Sequence, residues 1–169
     1  ILSKQTNNNV ICDFRVQDIE LGGQGAPLVP VGEKYLFHEY DSFINLGGFA
    51  NISNHKGESL IAYDICPVNI VLNNLSKKIG KDFDNKGSIA SSGKIILNLY
   101  EELENLKYYQ SSPPKSLGIE WVDANIFPLI NKYSDYPTED LLNTLSNHIA
   151  NQISNNLKDI DKVLVTGGG

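Results

Sequence analysis

Three apolar-rich runs stand in succession between Ser42 and Ile65, and they restrict the fold more than any other feature of the chain. Ser42-Phe43-Ile44-Asn45-Leu46 and Phe49-Ala50-Asn51-Ile52-Ser53 are separated only by Gly47-Gly48, which predicts a β-hairpin because glycine removes the steric penalty of a tight turn. Leu60-Ile61-Ala62-Tyr63-Asp64-Ile65 supplies a third strand, and the segment from Val68 to Ile79 follows as a helix. A meander of three antiparallel strands leading into a helix predicts an α/β lobe.

Around this centre the pattern is less uniform. Asn9-Val10-Ile11-Cys12-Asp13-Phe14 reads as a short strand that would place Asp13 and Asp18 near a sheet edge. Residues 27–38 have a helical tendency with Pro27 at an acceptable first-turn position. Ile89, Ile95, Ile96, Leu99, Leu103 and Leu106 are spaced for one helix over 84–107, or two with a break near Gly93. Pro113-Pro114 must lie in a loop, since Pro114 disfavours helical backbone at Pro113. Thr138 is the expected cap of a long helix through Asp159, with Leu141, Leu142, Leu145, Ile149, Ile153 and Leu157 on one face. Lys162 to Thr166 closes the chain as a strand running into Gly167-Gly168-Gly169, which reads as a loop cut short in a piece of a longer protein.

Composition removes several classes of function. The 169 residues suffice for one compact domain or two small lobes with a real core, without a metal or disulfide. A formal net charge of −6 argues against a phosphate-backbone-binding surface, so no nucleic acid partner is expected. No apolar run is long enough to span a bilayer, so no membrane partner is expected either. Cys12 and Cys66 have no metal-ligand spacing and are expected to be reduced, buried thiols in a cytoplasmic protein. His38, His55 and His148 form no metal or triad pattern, so no metal site is predicted.

Four segments carry candidate chemistry. Asp13-Phe14-Arg15-Val16-Gln17-Asp18 sets two carboxylates and an arginine before Gly22-Gly23-Gln24-Gly25-Ala26-Pro27, a turn that lets a polar ligand approach the main chain. An acid beside such a turn is a candidate general base, although Asp13, Arg15 and Asp18 also suit a surface ion-pair cluster. Asn45-Leu46-Gly47-Gly48-Phe49-Ala50-Asn51 is either an ordinary tight turn or a phosphate cradle of main-chain N–H groups flanked by asparagine amides. Thr166-Gly167-Gly168-Gly169 has the same two readings, with adenosine as the ligand. Pro114-Lys115-Ser116-Leu117-Gly118-Ile119-Glu120 offers a cation, a hydroxyl and a carboxylate on a rigid loop for a sugar or phosphate, or is a solvated turn before a helix. Tyr108, Tyr109 and Trp121 read as core or loop packing.

Taken in order, these segments and Val165-Thr166-Gly167-Gly168-Gly169 resemble the anhydro-N-acetylmuramic acid kinase family over nearly the whole chain. The resemblance implies an actin/hexokinase-like (ribonuclease H-like) α/β lobe, with a mixed sheet containing the β-meander, packed helices and only part of a domain present. Residues 1–40 would end an N-terminal lobe with the sugar and catalytic segment, and 41–169 would form most of a nucleotide-binding lobe. The implied activity opens 1,6-anhydro-N-acetylmuramic acid with water and phosphorylates O6 from ATP, with Mg2+ carried by the ATP. Asp18 would activate the water, with Asp13 the alternative. Asp13, Arg15, Gly22, Gly23, Gln24, Gly25, Lys115, Ser116 and Glu120 would contact the sugar. Asn45, Gly47, Gly48, Asn51, Asp64, Asn69, Gly167, Gly168 and Gly169 would contact the nucleotide. The resemblance also allows a homodimer.

Two departures bear on the expectation. Asp64-Ile65-Cys66-Pro67-Val68-Asn69 stands where the family commonly has Asp-x-Gly-Pro-Gly-Asn, so Cys66 and Val68 are expected to restrict backbone approach to a nucleotide. The family's N-terminal phosphate loop is absent from these 169 residues, which predicts an inactive fragment of an active parent. A nucleotide- or sugar-binding protein without catalysis, and a kinase for another anhydro-sugar, are the alternative functions.

Overall fold

The computed structural model describes residues 1–22, 29–56, 59–158 and 160–168. Internal contacts divide the chain into two units, Ile1–His38 and Glu39–Gly169. The first contains helices α1 (Leu2–Thr6), α2 (Phe14–Glu20) and α3 (Val29–Leu36). The helix expected over 27–38 is therefore present as α3, while Pro27 lies outside the described residues.

The strand expected over 9–14 does not form; residues 9–13 are irregular and α2 begins at Phe14. An extended run keeps its shape only when a neighbouring strand takes up its N–H and C=O groups, and none of the described strands pairs with this one. Asp13 instead takes left-handed backbone (φ 63°) as the N-cap of α2, and its carbonyl accepts the Gln17 N–H at 3.1 Å. Asp13 and Asp18 thus belong to a helix start and a helix interior, not to a sheet edge.

The second unit is built on a mixed sheet of β1 (Ser42–Leu46), β2 (Phe49–Lys56), β3 (Ser59–Pro67) and β4 (Val163–Gly167), in the order β3-β2-β1-β4. The first three strands form the antiparallel meander, and β4 joins β1 in parallel. One irregularity interrupts the β2–β3 ladder: Asn51 faces Asp64 and Ala50 faces Cys66, leaving Ile65 as the extra residue of a bulge.

The helices of this unit are α4 (Asn69–Lys78), α5 (Leu97–Glu104), α6 (Lys107–Gln110), α7 (Ile119–Lys132) and α8 (Thr138–Asn156). The apolar faces of α4, α5, α7 and α8 meet in one cluster that includes Val71, Leu75, Leu99, Leu103, Val122, Ile126, Ile130 and Leu142. Ile149 of α8 joins a second cluster with Ile44, Ala50, Ile52, Ile65, Cys66 and Val68. One helix therefore closes both the helical layer and one sheet face. Its N-cap is Pro137, with no side-chain capping bond, so Thr138 is the first helical residue and not the expected cap. Extended backbone at Pro137 (ψ 144°) delivers the chain into the helix, and Glu139 and Asp140 complement the positive end of its dipole.

Only the second half of 84–107 is the expected helix. Residues Asn85–Gly87 and Ala90–Ser92 are short 3-10 turns before α5. Side-chain acceptors capture the backbone N–H groups that an α-helix would use there. Asp84 accepts from Ile89 N (2.8 Å) and Ala90 N (2.9 Å), Asp140 from Lys94 N (2.7 Å), and Thr144 from Ile96 N (2.9 Å). Gly93 lets this segment pass against α8, because a Cβ there would run into the backbone carbonyl of Glu139. Gly93→Ala should cost about 2 kcal/mol or more of stability through overpacking, read as a lowered urea midpoint.

Glu104, at the end of α5, accepts hydrogen bonds from His148 Nδ1 (2.6 Å), Asn151 Nδ2 (2.8 Å) and Gln152 Nε2 (2.8 Å) on α8. With the imidazole proton on Nδ1, Nε2 is a bare acceptor. Nε2 and the Tyr109 hydroxyl are buried without a hydrogen-bond partner among the described residues, on rings 4.9 Å apart. Burial holds His148 below its ordinary pKa of 6.5, against the opposing pull of the Glu104 hydrogen bond and charge. The unfolded chain therefore binds the extra proton first as pH falls below about 6.5, so this contribution to stability is complete above that pH and declines below it. His148→Gln should flatten the decline, measured as urea midpoints from about pH 7 to pH 5.

Both cysteines are free. Cys66 is buried as expected, and burial, with a smaller contribution from the Glu104 charge, pushes its thiol up to about 12. Cys12 is exposed, contrary to expectation, because residues 9–13 lie on no buried strand. Among the described residues no helix is long and apolar enough to cross a membrane.

Candidate functional site

Strand register gathers the polar residues of the second unit into one row. Asp64 pairs with Asn51, Asn51 with Asn45, and Asn45 with Thr166, so the row crosses all four strands. Directly paired residues project to the same side of a sheet and successive residues alternate. Ile44 and Ile52 pack toward Ile149 of α8, so this row occupies the opposite face.

The row ends beside two glycine turns at the C-terminal ends of the parallel strands β1 and β4. Gly47 N–H donates to Phe49 O at 3.1 Å, and the Gly48 carbonyl accepts from Val68 N at 2.8 Å. The Gly47 carbonyl accepts from Asn69 N at 3.3 Å, fastening the turn to the start of α4. Gly168 N–H donates to Leu46 O at 3.1 Å. Gly167 has φ 102°, and a Cβ there would collide with the Leu46 carbonyl and lie 2.8 Å from Asn45 Oδ1. Glycine is required at this position by both conformation and space. Asn45, Gly47, Gly48, Asn51, Gly167 and Gly168 thus come together, Asn69 is tied to Gly47, and Gly169 lies outside the described residues.

Beside them opens a cleft of about 680 Å³, lined by Asn69, Asn73, Phe83, Asp84, Lys86 and Gly168 among others. Asn69 and Gly168 are anticipated from the sequence, whereas the opposite wall is not. Its signal is Asp84-Asn85-Lys86-Gly87, whose residue types mark a turn before they mark a site. Among the described residues no group of three or more His, Cys, Asp or Glu comes together to hold a metal ion.

Asp64 serves the loop after α6. Its N–H donates to Lys115 O at 3.2 Å, its Oδ2 accepts from Leu117 N at 2.8 Å, and its carbonyl accepts from the Tyr108 hydroxyl at 2.6 Å. Lys115 is half-buried, with Nζ donating to Tyr108 O at 3.2 Å and standing 4.7 Å from the Tyr108 ring centre. Burial lowers its pKa. Ser116 and Glu120 are exposed; Glu120 lies in the first turn of α7, its carboxylate folded against Gly118. Tyr108, Tyr109 and Trp121 pack together as expected, Tyr108 and Trp121 with ring centres 5.3 Å apart.

In the first unit, Arg15 and Asp18 both lie on α2, Arg15 exposed and Asp18 half-buried. Phe14, Gln17, Asp18 and Leu21 recur on one side of this helix and line a shallow depression of about 390 Å³. The Asp13 carboxylate accepts the Cys12 thiol at 3.2 Å, and this hydrogen bond, then its charge, raises the thiol's pKa. Gly22 has φ 91°, the left-handed backbone expected of the glycine turn, and its N–H donates to Ile19 O at 3.0 Å. Gly23, Gln24 and Gly25 lie outside the described residues.

Comparison with known proteins gives this geometry a family. The family model described as Anhydro-N-acetylmuramic acid kinase matches residues 1–169. The chain belongs to that family. Proteins named anhydro-N-acetylmuramic acid kinase from Clostridioides difficile (strain 630) and Bacillus cereus (strain G9842) are 32% and 31% identical to it over 185 residues, covering 100% of this chain and 48% of each relative. The protein of that name from Francisella tularensis subsp. novicida (strain U112) is 32% identical over 184 residues, covering 99% of this chain and 48% of the relative. The chain spans about half the length of the curated relatives it matches.

In segment 64–69 of this anhydro-N-acetylmuramic acid kinase family member, the two residues that stand where glycine was expected pack into the core. Cys66 and Val68 are 0% and 4% exposed, and both pack with Ile44, Ile52 and Ile149. Neither has positive φ. Their side chains fill the core between sheet and helix and do not narrow the cleft, whose walls include neither residue. Asp64→Ala should release Leu117 N–H and speed amide exchange across 115–118, at a stability cost of about 1 kcal/mol. Asp64→Asn, which keeps an oxygen acceptor, should do so less; hydrogen exchange read by mass spectrometry separates the two.

Proposed function

We infer that the full-length protein is an ATP-dependent sugar kinase that opens 1,6-anhydro-N-acetylmuramic acid with water and phosphorylates O6, giving N-acetylmuramic acid 6-phosphate for cell-wall recycling. The observation that carries this reading is the family match across residues 1–169. On this reading the 169 residues are a fragment of an actin/hexokinase-like fold, with the sugar segment in 1–40 and most of a nucleotide-binding lobe in 41–169. The protein would act in the cytoplasm.

The geometry of the second unit supports a nucleotide as its ligand. A cleft of about 680 Å³ has the size of a small-molecule site. Asn45, Asn51 and the glycine turns supply neutral donors and open backbone rather than bulky side chains. Magnesium would arrive on the nucleotide phosphates and neutralise charge as the phosphoryl group moves.

The chemistry assigned to the first unit is acid–base. Asp18 would take a proton from the water that attacks the anomeric carbon. The bond from that carbon to O6 breaks as the new C–O bond forms, and O6, released from the bridge, accepts the phosphoryl group. Asp18 borders the α2 depression beside Phe14 and Leu21, an apolar setting suited to holding one water against a carboxylate. Arg15 and the 22–25 turn would position the sugar within the first unit. Asp13 is the alternative base, and its carboxylate already accepts the Cys12 thiol.

Asp18→Asn in the full-length protein should lower ring opening by a factor of about 100 or more while Mg-ATP still binds. The check is ADP release with mass spectrometry of the product, which must gain both water and phosphate. Unchanged turnover by the variant would sink the assignment of Asp18. ATP binding with no product from the unaltered protein would favour another anhydro-sugar or a binding role.

A further inference from the structure

The wall of the second-unit cleft opposite the glycine turns has no role in the reading above. It is formed by the segment from Phe83 to Gly87, between α4 and the turns that precede α5. The segment is pinned at its base. Asp84 accepts from two backbone N–H groups, Ile89 at 2.8 Å and Ala90 at 2.9 Å, and the carbonyl of buried Ala90 accepts from Asn143 Nδ2 on α8 at 2.9 Å. The Asp84 charge is thereby spent on the fold.

Among the described residues, two side chains on this anchored segment join no core cluster and no ion pair. Phe83 is 58% exposed and belongs to neither core cluster, although it lines the cleft. Lys86 is exposed, makes no ion pair with a described residue, and sits on left-handed backbone with φ 57°. Left-handed backbone disfavours a lysine relative to glycine. A flat apolar face and a cation, held beside amide groups of Asn69 and Asn73, match a ligand with a heteroaromatic ring at one end and anionic charge at the other.

We propose that Phe83 gives the nucleotide's base an apolar face to stack on and that Lys86 supplies a cation to its phosphates. The assignment rests on the kinase reading and extends it to two residues outside the glycine turns. It makes separable demands. Stacking depends on the base, which adenosine, ADP and ATP share; the charge contact depends on phosphate, which adenosine lacks.

The test is calorimetric titration of the full-length protein with adenosine, ADP and Mg-ATP. Phe83→Ala should weaken all three by about ten-fold. Lys86→Glu should weaken ADP and ATP by about five-fold or more and leave adenosine unchanged. Both residues are exposed, so the melting temperatures without ligand should match that of the unaltered protein, and the binding losses then report on the cleft. Unaltered affinity in either variant overturns that residue's assignment while the kinase reading stands. A uniform loss for Lys86→Glu, adenosine included, overturns the phosphate contact. An unaltered protein that binds no adenine nucleotide overturns the kinase reading and this inference together.

Discussion

Helix α8 is the member on which the second unit depends. Its first half sends Leu141, Leu142 and Leu145 into the helical cluster, and further along Ile149 closes the sheet cluster. Alongside them, His148 and Gln152 bind Glu104 and lock α5 against the same helix. Full burial of one leucine or isoleucine side chain contributes about 1.5–3 kcal/mol, so the apolar stripe dominates and the buried polar contacts fix orientation. The segment 90–96 is fitted to the start of α8 by Thr144, Asp140 and the bare face of Gly93. Sheet, helical layer and cleft wall are all referred to one rigid rod.

The candidate site inherits its order from that rod. Ala90, bonded to Asn143 of α8, carries the Asp84 anchor and with it the outer cleft wall. The glycine turns on the other side are held by the strands and by the N-terminus of α4. Asp64 extends the arrangement across the sheet, joining the polar row to Lys115 and Leu117. The Asp64 carboxylate is also the brace of that loop.

The meander, α4, α8 and β4 were legible because each rests on local rules: alternation of apolar residues, a glycine turn, an apolar stripe at helical spacing. The glycine turns were legible for the same reason, and the register then brought Asn45 and Asn51 into one row. What could not be read depended on distant partners. Nothing in Val10 and Ile11 reveals that none of the described strands pairs beside them, and residues 84–96 follow helical spacing although Asp84, Asp140 and Thr144 divert the backbone bonds. Helix α7 runs through Pro128, an interior breaker that ordinarily costs about 3 kcal/mol. Burial of Val122, Ile126 and Ile130 on one side of α7 opposes that cost. The wall carrying Phe83 and Lys86 resembles an ordinary turn until α4 and β4 are set opposite it.

The bulge at Ile65 has a consequence for how this segment can change over time. Strand side chains alternate, yet Ile65 and Cys66 are both inside, at 1% and 0% exposure, while Asp64 keeps its place in the polar row. The extra residue resets the parity of β3 between a polar stretch and a core stretch. Deleting it would leave the two stretches in conflict, turning out either the brace of the loop or a residue of the core. Substitution at Cys66 or Val68 asks only for an apolar shape that fits. A change of length by one residue asks the whole strand to choose which of its two faces to abandon.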